Sequence, residues 1–508
     1  MKKKVLNTLI IISTIIMVGC VLLSLQSNPF SVMDPQHDSS MFIYFGRGMS
    51  NGLIPYIDML DHKGPMLWFI NFVADLIDKV ASGWGLFIVE LIFIGAAYYS
   101  MLKISKLLKS TSLVYLLTIL FITPVIMLLF NNGNYTEEYA FTFILWALYL
   151  LIRNFVTEEN TKLSLFIIGS LGAATFFLRP NMISVWVVFC LMFLFFGIFT
   201  KKYFVLRKQA LWIFIGGTSV VCLISLYGIL TNSFSKMWND SIIINMMYST
   251  SSTVEKINSG KFFLKLFWQN GILWSVFGYA LIVLLNWKNY NLKYKFMHIT
   301  LLIGFVVNFL TIIMSGRNYW HYGVTQLPYF FIMICFSLVT ITNIKFKKIH
   351  KYCLITIIAA IPIVFSAKYM ISNLVYINTT IFPNYTGRKI SNSHQIISYI
   401  DNHTTKNQKI YVHNIDANIY LQSGRFANSK YFVLPAIDYD KTSKLKTDFE
   451  NSFEHSYPKF IVVTKVLYTQ DHENDFMMNN YIYDVIQKKY TKVKSIHGEM
   501  LLFKLNPN

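Results

Sequence analysis

Ionisable side chains crowd one segment near the start of the sequence, DPQHDSSMFIYFGRGMSNGLIPYIDMLDHKGPMLWFINFVADLI. It carries Asp34, His37, Asp38, Arg47, Asp58, Asp61, His62 and Lys63. A positioned carboxylate can take the proton from an attacking hydroxyl, a contribution of about 10²–10⁴-fold. Lys or Arg can stabilise the charge on a departing phosphate, and hard oxygen ligands suit Mg2+ or Mn2+. Such a set suits glycosyl transfer, with Asp38 the candidate base and Lys63 and Arg47 the candidates for the phosphate. The bland reading stands beside it: an acid in an exposed loop is commonly just solvated, and DHKGP reads equally as a turn before a helix.

Three further groups could do chemistry. In NNGNYTEEYA, Glu137 and Glu138 are either a second acid or metal ligand, or first-turn acids of a helix capped by Thr136. Arg179 precedes Pro180 and Asn181, and Arg317, Tyr319, His321 and Tyr322 occupy SGRNYWHYGVTQLP. Arginine supplies planar donors for phosphate oxygens, while aromatic and basic residues also anchor spans at an interface. Glu90 lies inside an apolar run, where an ionisable group is a functional candidate by default. It reads here as a neutral, hydrogen-bonded packing residue.

These groups are held by a chain of 508 residues that is 54% hydrophobic and only 14% charged, with mean hydropathy +0.46. A soluble domain carries about a quarter charged residues. The apolar residues form runs long enough to span a bilayer, at roughly Val5–Ser27, Trp84–Lys103, Thr111–Phe130, Tyr139–Phe155, Leu163–Phe177, Ile183–Phe199, Gln209–Leu230, Gly271–Leu285, Phe296–Met314, Thr325–Ile341 and Tyr352–Met370. The first run reads as a retained span, not as a cleaved leader. Alternate loops are basic: Lys2–Lys4, Lys103 to Lys109, Arg153 and Lys162, Lys201 to Lys208, Lys288 to Lys295, Lys345 to Lys351. That side is expected to be cytoplasmic, which places every candidate group and the C-terminal tail outside. The net charge of +20 is accounted for by those loops, and a nucleic-acid partner is not expected. The five cysteines lie in or beside apolar runs, with no disulfide or metal spacing.

Within the first outer loop, MFIYFGRGMSNG and the run from Pro65 read as two helices lying in the membrane interface. The loop around Phe234–Leu266 reads as an interfacial helix or as a gate over the site. The tail alternates helix and strand signals. KIYVHN, KYFVLP and KFIVVTK read as strands, KVKSIHGEMLLFKL as a closing hairpin, and SNSHQIISYIDNH, DANIYLQSG and NDFMMNNYIYDVIQKKY as helices. The expected organisation is a membrane domain over 1–372, with its outer loop at 28–83, followed by an α/β domain over 373–508.

The pieces HDSSMF, NGLIPYID and DHKGPMLWF, followed by YTEEYA, LRPN and RNYWHYGVTQLP, resemble the GT-C superfamily of polyprenyl-phosphate-sugar glycosyltransferases. The likeness is to the branch of protein O-mannosyltransferases and aminoarabinose transferases. Ser39 and Gly64 depart from that pattern, standing where many relatives have an acid and a proline. The resemblance implies a multi-pass GT-C fold of about eleven spans with an extracytoplasmic α/β domain, an active site at the outer face, and inversion at the anomeric carbon. It implies Asp38 as base, Glu137 or Glu138 as second acid, and Asp38 with Glu138 on any Mg2+ or Mn2+. Asp61, His62, Lys63, Arg47, Arg179, Arg317, His321 and Tyr322 would serve the lipid phosphate and sugar. The implied partners are a polyprenyl-phosphate-linked sugar, membrane lipid and a cell-envelope acceptor. The competing readings are a polysaccharide polymerase and a flippase. A flippase would favour midplane charges and internal repeats, whereas the charges here cluster at span ends.

Overall fold

The computed structural model describes residues 2–30, 34–244, 251–343, 393–434, 439, 442–468, 476–496 and 499–507. Its helices are α1 (Lys2–Leu23), α2 (His37–Ser50), α3 (Pro65–Asp78), α4 (Gly85–Leu107), α5 (Ser112–Phe130), α6 (Thr136–Thr157), α7 (Lys162–Leu178), α8 (Ser184–Phe199), α9 (Tyr203–Leu230) and α10 (Phe234–Trp238). There follow α11 (Thr253–Gln269), α12 (Ile272–Leu285), α13 (Leu292–Ile313), α14 (Leu327–Asn343), α15 (His394–His403), α16 (Asn418–Ser423), α17 (Ser443–His455) and α18 (Asn479–Lys489). Four strands, β1 (Ile410–Val412), β2 (Phe460–Thr464), β3 (Tyr490–Ile496) and β4 (Met500–Leu505), lie in the C-terminal part.

Two compact units share the chain. The first comprises residues 1–29, 87–225 and 249–381, and the second 30–86, 226–248 and 382–508.

The first unit is helical. Among the described residues six helices are long and apolar enough to cross a membrane: α4, α5, α6, α9, α13, and α14 together with the 3-10 turn Trp320–Gln326 before it. A seventh is reached if α11 and α12, bent by 77°, count as one broken span. Thr8–Leu23, α7 and α8 are shorter apolar helices. Ten of the eleven expected spans are therefore helical. The eleventh, Tyr352–Met370, lies outside the described residues. Helix α1 packs on α5, α5 on α14, α6 on α7, and α8 on α13. Where α7 meets α9 the contact is made by glycines. A Cβ on Gly169 would sit 1.9 Å from the Ile213 carbonyl oxygen, and one on Gly216 2.0 Å from that of Phe166. Small residues let helix backbones approach where lipid supplies no hydrophobic drive between helices.

The second unit is built on a four-stranded sheet of order β1-β2-β4-β3. Strands β1 and β2 are parallel, with Tyr411 opposite Ile461; β4 runs antiparallel to β2 and β3, which closes the expected hairpin. KYFVLP is not a strand. Tyr431, Phe432, Val433 and Leu434 are buried instead, and the Lys430 carbonyl accepts a hydrogen bond from Leu60 of the first loop (2.9 Å). Helix α17, which the sequence reading omitted, buries Phe449 and Phe453 at i, i+4 in the same core, joined by Leu60 and Ile244.

Helices α2 and α3 form as expected, the latter with Pro65 in its first turn. The apolar face of α2 is not left for lipid. Tyr44 stacks on Phe432 (centroids 4.2 Å apart) and accepts from the Ala427 N–H (3.0 Å), and Phe45 stacks on Trp68 (3.8 Å). Tail side chains cover that face. In the segment around Phe234–Leu266, α10 and α11 are helices, α11 opening with a capping box of Ser252 and Glu255.

Candidate active site

In the first unit the polar groups gather at the start of α6. The chain reaches it through Asn131, Asn132, Gly133 and Asn134, all with φ between 46° and 93°. Only Gly and, less readily, Asn adopt this left-handed region without large cost, so the NNGN run is what allows the turn. The turn brings the Asn134 N–H onto Glu138 Oε2 (2.7 Å), and the Tyr139 hydroxyl donates to Asn134 Oδ1 (2.8 Å). Thr136 is not the cap. Tyr135 precedes the helix without a capping side chain, and the Thr136 hydroxyl donates to Glu137 Oε2 (2.8 Å).

Glu137 is 3% exposed and Arg179 5%. The guanidinium donates through Nη1 to Glu137 Oε1 (2.8 Å) and through Nη2 to the Tyr322 hydroxyl (2.9 Å). Its centre lies 4.3 Å from the Tyr322 ring centroid. His321 stacks on Tyr135 at 3.9 Å and 10°. A cavity of about 10 Å³ beside Glu137, Arg179, Asn181 and Tyr322 is at the lower limit for one water. Three of the sequence candidates, Glu137, Arg179 and Tyr322, thus form one buried ion-pair cluster. Arg317, in the same unit, is exposed and lies outside it; its carbonyl accepts from the Ser259 hydroxyl (3.0 Å).

On the other side of Glu138 stands Glu90, fully buried, with the Ser27 hydroxyl donating to its Oε2. A Cβ built on Gly133 would lie 2.9 Å from Glu90 Oε1 and 3.4 Å from Glu138 Oε2. The two carboxyl groups therefore flank one glycine. Oε1 of each has no hydrogen-bond partner among the described residues, an arrangement costly enough to call for explanation. The sequence reading made Glu90 a packing residue. Its pairing with Ser27 and its place beside Glu138 had no local signal apart from an acid in an apolar run.

In the second unit Asp38 lies in the first turn of α2, where the helix end favours a carboxylate. Its side chain is 37% exposed, with His37 Nδ1 at 3.3 Å. Asp61, His62 and Lys63 form a tight turn. Asp61 is 1% exposed and its Oδ1 accepts from the Lys63 N–H (2.8 Å), with His62 Nδ1 at 3.6 Å and Lys63 Nζ at 3.7 Å. The Lys63 ammonium lies over the Phe42 ring at 5.4 Å. Behind the turn the Tyr56 hydroxyl donates to the Lys63 carbonyl and accepts from Trp68 Nε1, both at 2.8 Å. Burial pushes the Tyr56 phenol well above its usual range, so it remains a donor. Arg47 is occupied elsewhere, giving Nη1 to the Leu421 carbonyl (2.6 Å) and facing Asp75 at 3.8 Å. Asp58 accepts from the Ile54 N–H (2.7 Å), a loop-closing contact.

The N-terminus of α2 is framed by the tail. Asn418 Nδ2 donates to the Pro35 carbonyl (2.8 Å), the Ala417 N–H to Ser40 Oγ (3.0 Å), and Gln422 Nε2 to Asp34 Oδ1 (2.6 Å). Of these partners only Asp34 was picked out from the sequence; Asn418, Ala417 and Gln422 of the tail were not. Among the described residues no three His, Cys, Asp or Glu side chains converge as a metal site requires. Asp38 and Glu138, the residues that the resemblance implies for any Mg2+ or Mn2+, are not part of such a group.

Residues 1–351 match the family model of the competence-induced protein Ccs4 N-terminal domain, and residues 390–500 match that of its C-terminal domain. No curated protein matches the chain in sequence. Among solved structures, the chain superposes on ArnT from Cupriavidus metallidurans bound to undecaprenyl phosphate with a TM-score of 0.60 and 10% identity, over 99% of this chain and 100% of that one. It superposes on the archaeal oligosaccharyltransferase AglB from Archaeoglobus fulgidus, in complex with an inhibitory peptide and a dolichol-phosphate, with a TM-score of 0.54 and 11% identity, over 92% of this chain and 70% of that one. At 10–11% identity the likeness is one of fold: this chain shares the fold of those two structures.

Proposed function

Because the chain belongs to the competence-induced Ccs4 family and shares the fold of those two structures, we propose that it is a membrane glycosyltransferase. It takes a sugar from a polyprenyl-phosphate carrier and gives it to a cell-envelope acceptor: a polysaccharide, teichoic acid, glycolipid or protein. The observation that carries this reading is the likeness, over almost the whole of both chains, to a protein held with undecaprenyl phosphate. The N-terminus is cytoplasmic, and the chemistry and the tail lie at the outer face.

In this mechanism Asp38 removes the proton as the acceptor hydroxyl attacks the anomeric carbon. A carboxylate at a helix start has the charge and exposure for that task. The new bond forms from acceptor oxygen to anomeric carbon while the bond to the phosphate oxygen breaks on the opposite face, so configuration inverts. The departing polyprenyl phosphate takes up negative charge, which Lys63 stabilises, the Asp61 turn fixing that lysine's backbone. Arg179 is held by Glu137 and Tyr322, which gives a second cation of fixed position. Glu138 is the second acid.

The test is release of free carrier from undecaprenyl-phosphate bearing a panel of labelled sugars, with candidate acceptors present. Asp38→Asn is expected to lower release by about 10²–10⁴-fold, and Asp34→Asn to leave it near wild type. Equal rates for Asp38→Asn and wild type sink the assignment of the base. Absence of turnover for every sugar, or movement of intact lipid between leaflets, sinks the transferase reading.

A further inference from the structure

The first unit has a second polar centre at the opposite end of α6, on the side of the basic loops. Glu158, the residue that ends α6, has φ 60°. A non-glycine side chain there carries backbone strain that the surroundings must hold in place. Here the hold is electrostatic. Lys202, just before α9, and Lys293, in the first turn of α13, place their ammonium groups 3.2 Å and 3.0 Å from the same oxygen, Glu158 Oε1. Together they hold its carboxyl below the usual carboxylate range. Lys293 also caps α6 through the Val156 carbonyl (2.8 Å).

A cavity of about 90 Å³ opens beside this cluster, and among the described residues the three charges are the only ionisable groups lining it. One carboxylate against two ammonium groups leaves a positive charge uncompensated. Aromatic rings also line the cavity, beginning with Phe155, whose ring has the Lys293 ammonium over it at 5.9 Å. Phe155 and Phe193 stack in parallel at 5.0 Å, Phe196 meets Phe155 edge-on, and Phe199, beyond them, is 68% exposed. Between transmembrane helices, a basic pocket on the cytoplasmic side is a site for anionic lipid headgroups. The aromatic wall gives the start of an acyl chain somewhere to lie.

We propose that this pocket binds the phosphate headgroup of an anionic phospholipid. The phosphate bridges Lys202 and Lys293, and Glu158 is the internal anion that it displaces. The proposal does not rest on the transferase reading.

The experiment uses the full chain in phosphatidylcholine nanodiscs, titrated with dioctanoyl phosphatidylglycerol, dioctanoyl phosphatidylcholine or inorganic phosphate, with bound lipid counted by native mass spectrometry. Phosphatidylglycerol is expected to bind saturably, and phosphatidylcholine about tenfold more weakly. Lys202→Met should weaken phosphatidylglycerol about fivefold, the worth of one lysine near a charged surface. Lys293→Arg, which keeps the charge and a donor for Val156, should bind like wild type. Glu158→Gln should bind more tightly, since the competitor is neutralised. A merely structural role for the cluster would make Glu158→Gln bind no better, and that result overturns the proposal. So does equal binding of the two lipids, or displacement of phosphatidylglycerol by inorganic phosphate at equal concentration, which would make free anion the ligand.

Discussion

Arg179 is the residue whose removal separates architecture from chemistry most sharply. With Glu137 3% exposed and Arg179 5%, Arg179→Met leaves a buried carboxylate without its main partner. Breaking a buried pair from one side costs about 3–5 kcal/mol, whereas replacing both charges is often close to neutral. Arg179→Met alone is therefore expected to lower unfolding stability by about 3–5 kcal/mol. The double variant Arg179→Met/Glu137→Gln should recover most of that loss, a coupling of about 3 kcal/mol or some 150-fold in the folding equilibrium. The measurement is a double-mutant cycle by equilibrium unfolding in mixed micelles, run beside carrier release on the same four proteins. Activity should follow a different order: the double variant regains stability and stays inactive, because the fixed cation is still missing. A double variant no more stable than Arg179→Met refutes the account of the ion pair. A double variant that is stable and fully active refutes the role given to the cation.

Three other outcomes are expected. Gly133→Ala puts a Cβ 2.9 Å from Glu90 Oε1 at φ 93°, and should cost about 1–2 kcal/mol from the left-handed backbone alone, read in the same unfolding assay. Tyr44→Ala removes a fully buried ring that stacks on Phe432; a loss of about 3–5 kcal/mol should appear as protease sensitivity of the tail while the helical unit stays resistant. His413, whose imidazole burial pushes down to about 4 from an ordinary 6.5, is neutral when folded. Between pH 6.5 and pH 4 the unfolded chain binds a proton that the folded chain does not. Stability is full above pH 6.5 and falls by about 3 kcal/mol on descent to pH 4. Pulse proteolysis of the tail across that range should show the slope, and His413→Asn should flatten it.

The helices were legible because period and length are local properties. The starts of α3 at Pro65 and of α5 just after Thr111 follow from residues whose preferences act at the spot. The strands IYV and FIVVT were equally plain, and so was the hairpin at the end. KYFVLP misled for a definite reason: its apolar run fits a buried strand, yet its backbone is paired in part with Leu60, distant in sequence. The candidate site was legible as residue types and not as partnerships. Glu137 and Arg179 were both singled out, but their hydrogen bond joins residues 42 positions apart. The polar frame around α2 joins residues 377 to 388 apart. No window along the chain contains such pairs. One clue was present: four consecutive residues of the NNGN run tolerate positive φ, and they mark where the backbone turns to present Glu138 to its own N–H.

The second unit draws its walls from both ends of the chain, and this has a consequence for its manufacture. Helix α2 leaves the ribosome with Met41, Phe42, Tyr44 and Phe45 ready to be covered, and part of their cover, Phe432, is about 390 codons behind. At about 5–20 residues per second, the nascent chain must carry that aromatic face for roughly 20–80 s. A chain whose synthesis stops anywhere in that interval leaves this aromatic face uncovered. Such a product displays its incompleteness as exposed apolar surface, which chaperones and proteases can act on.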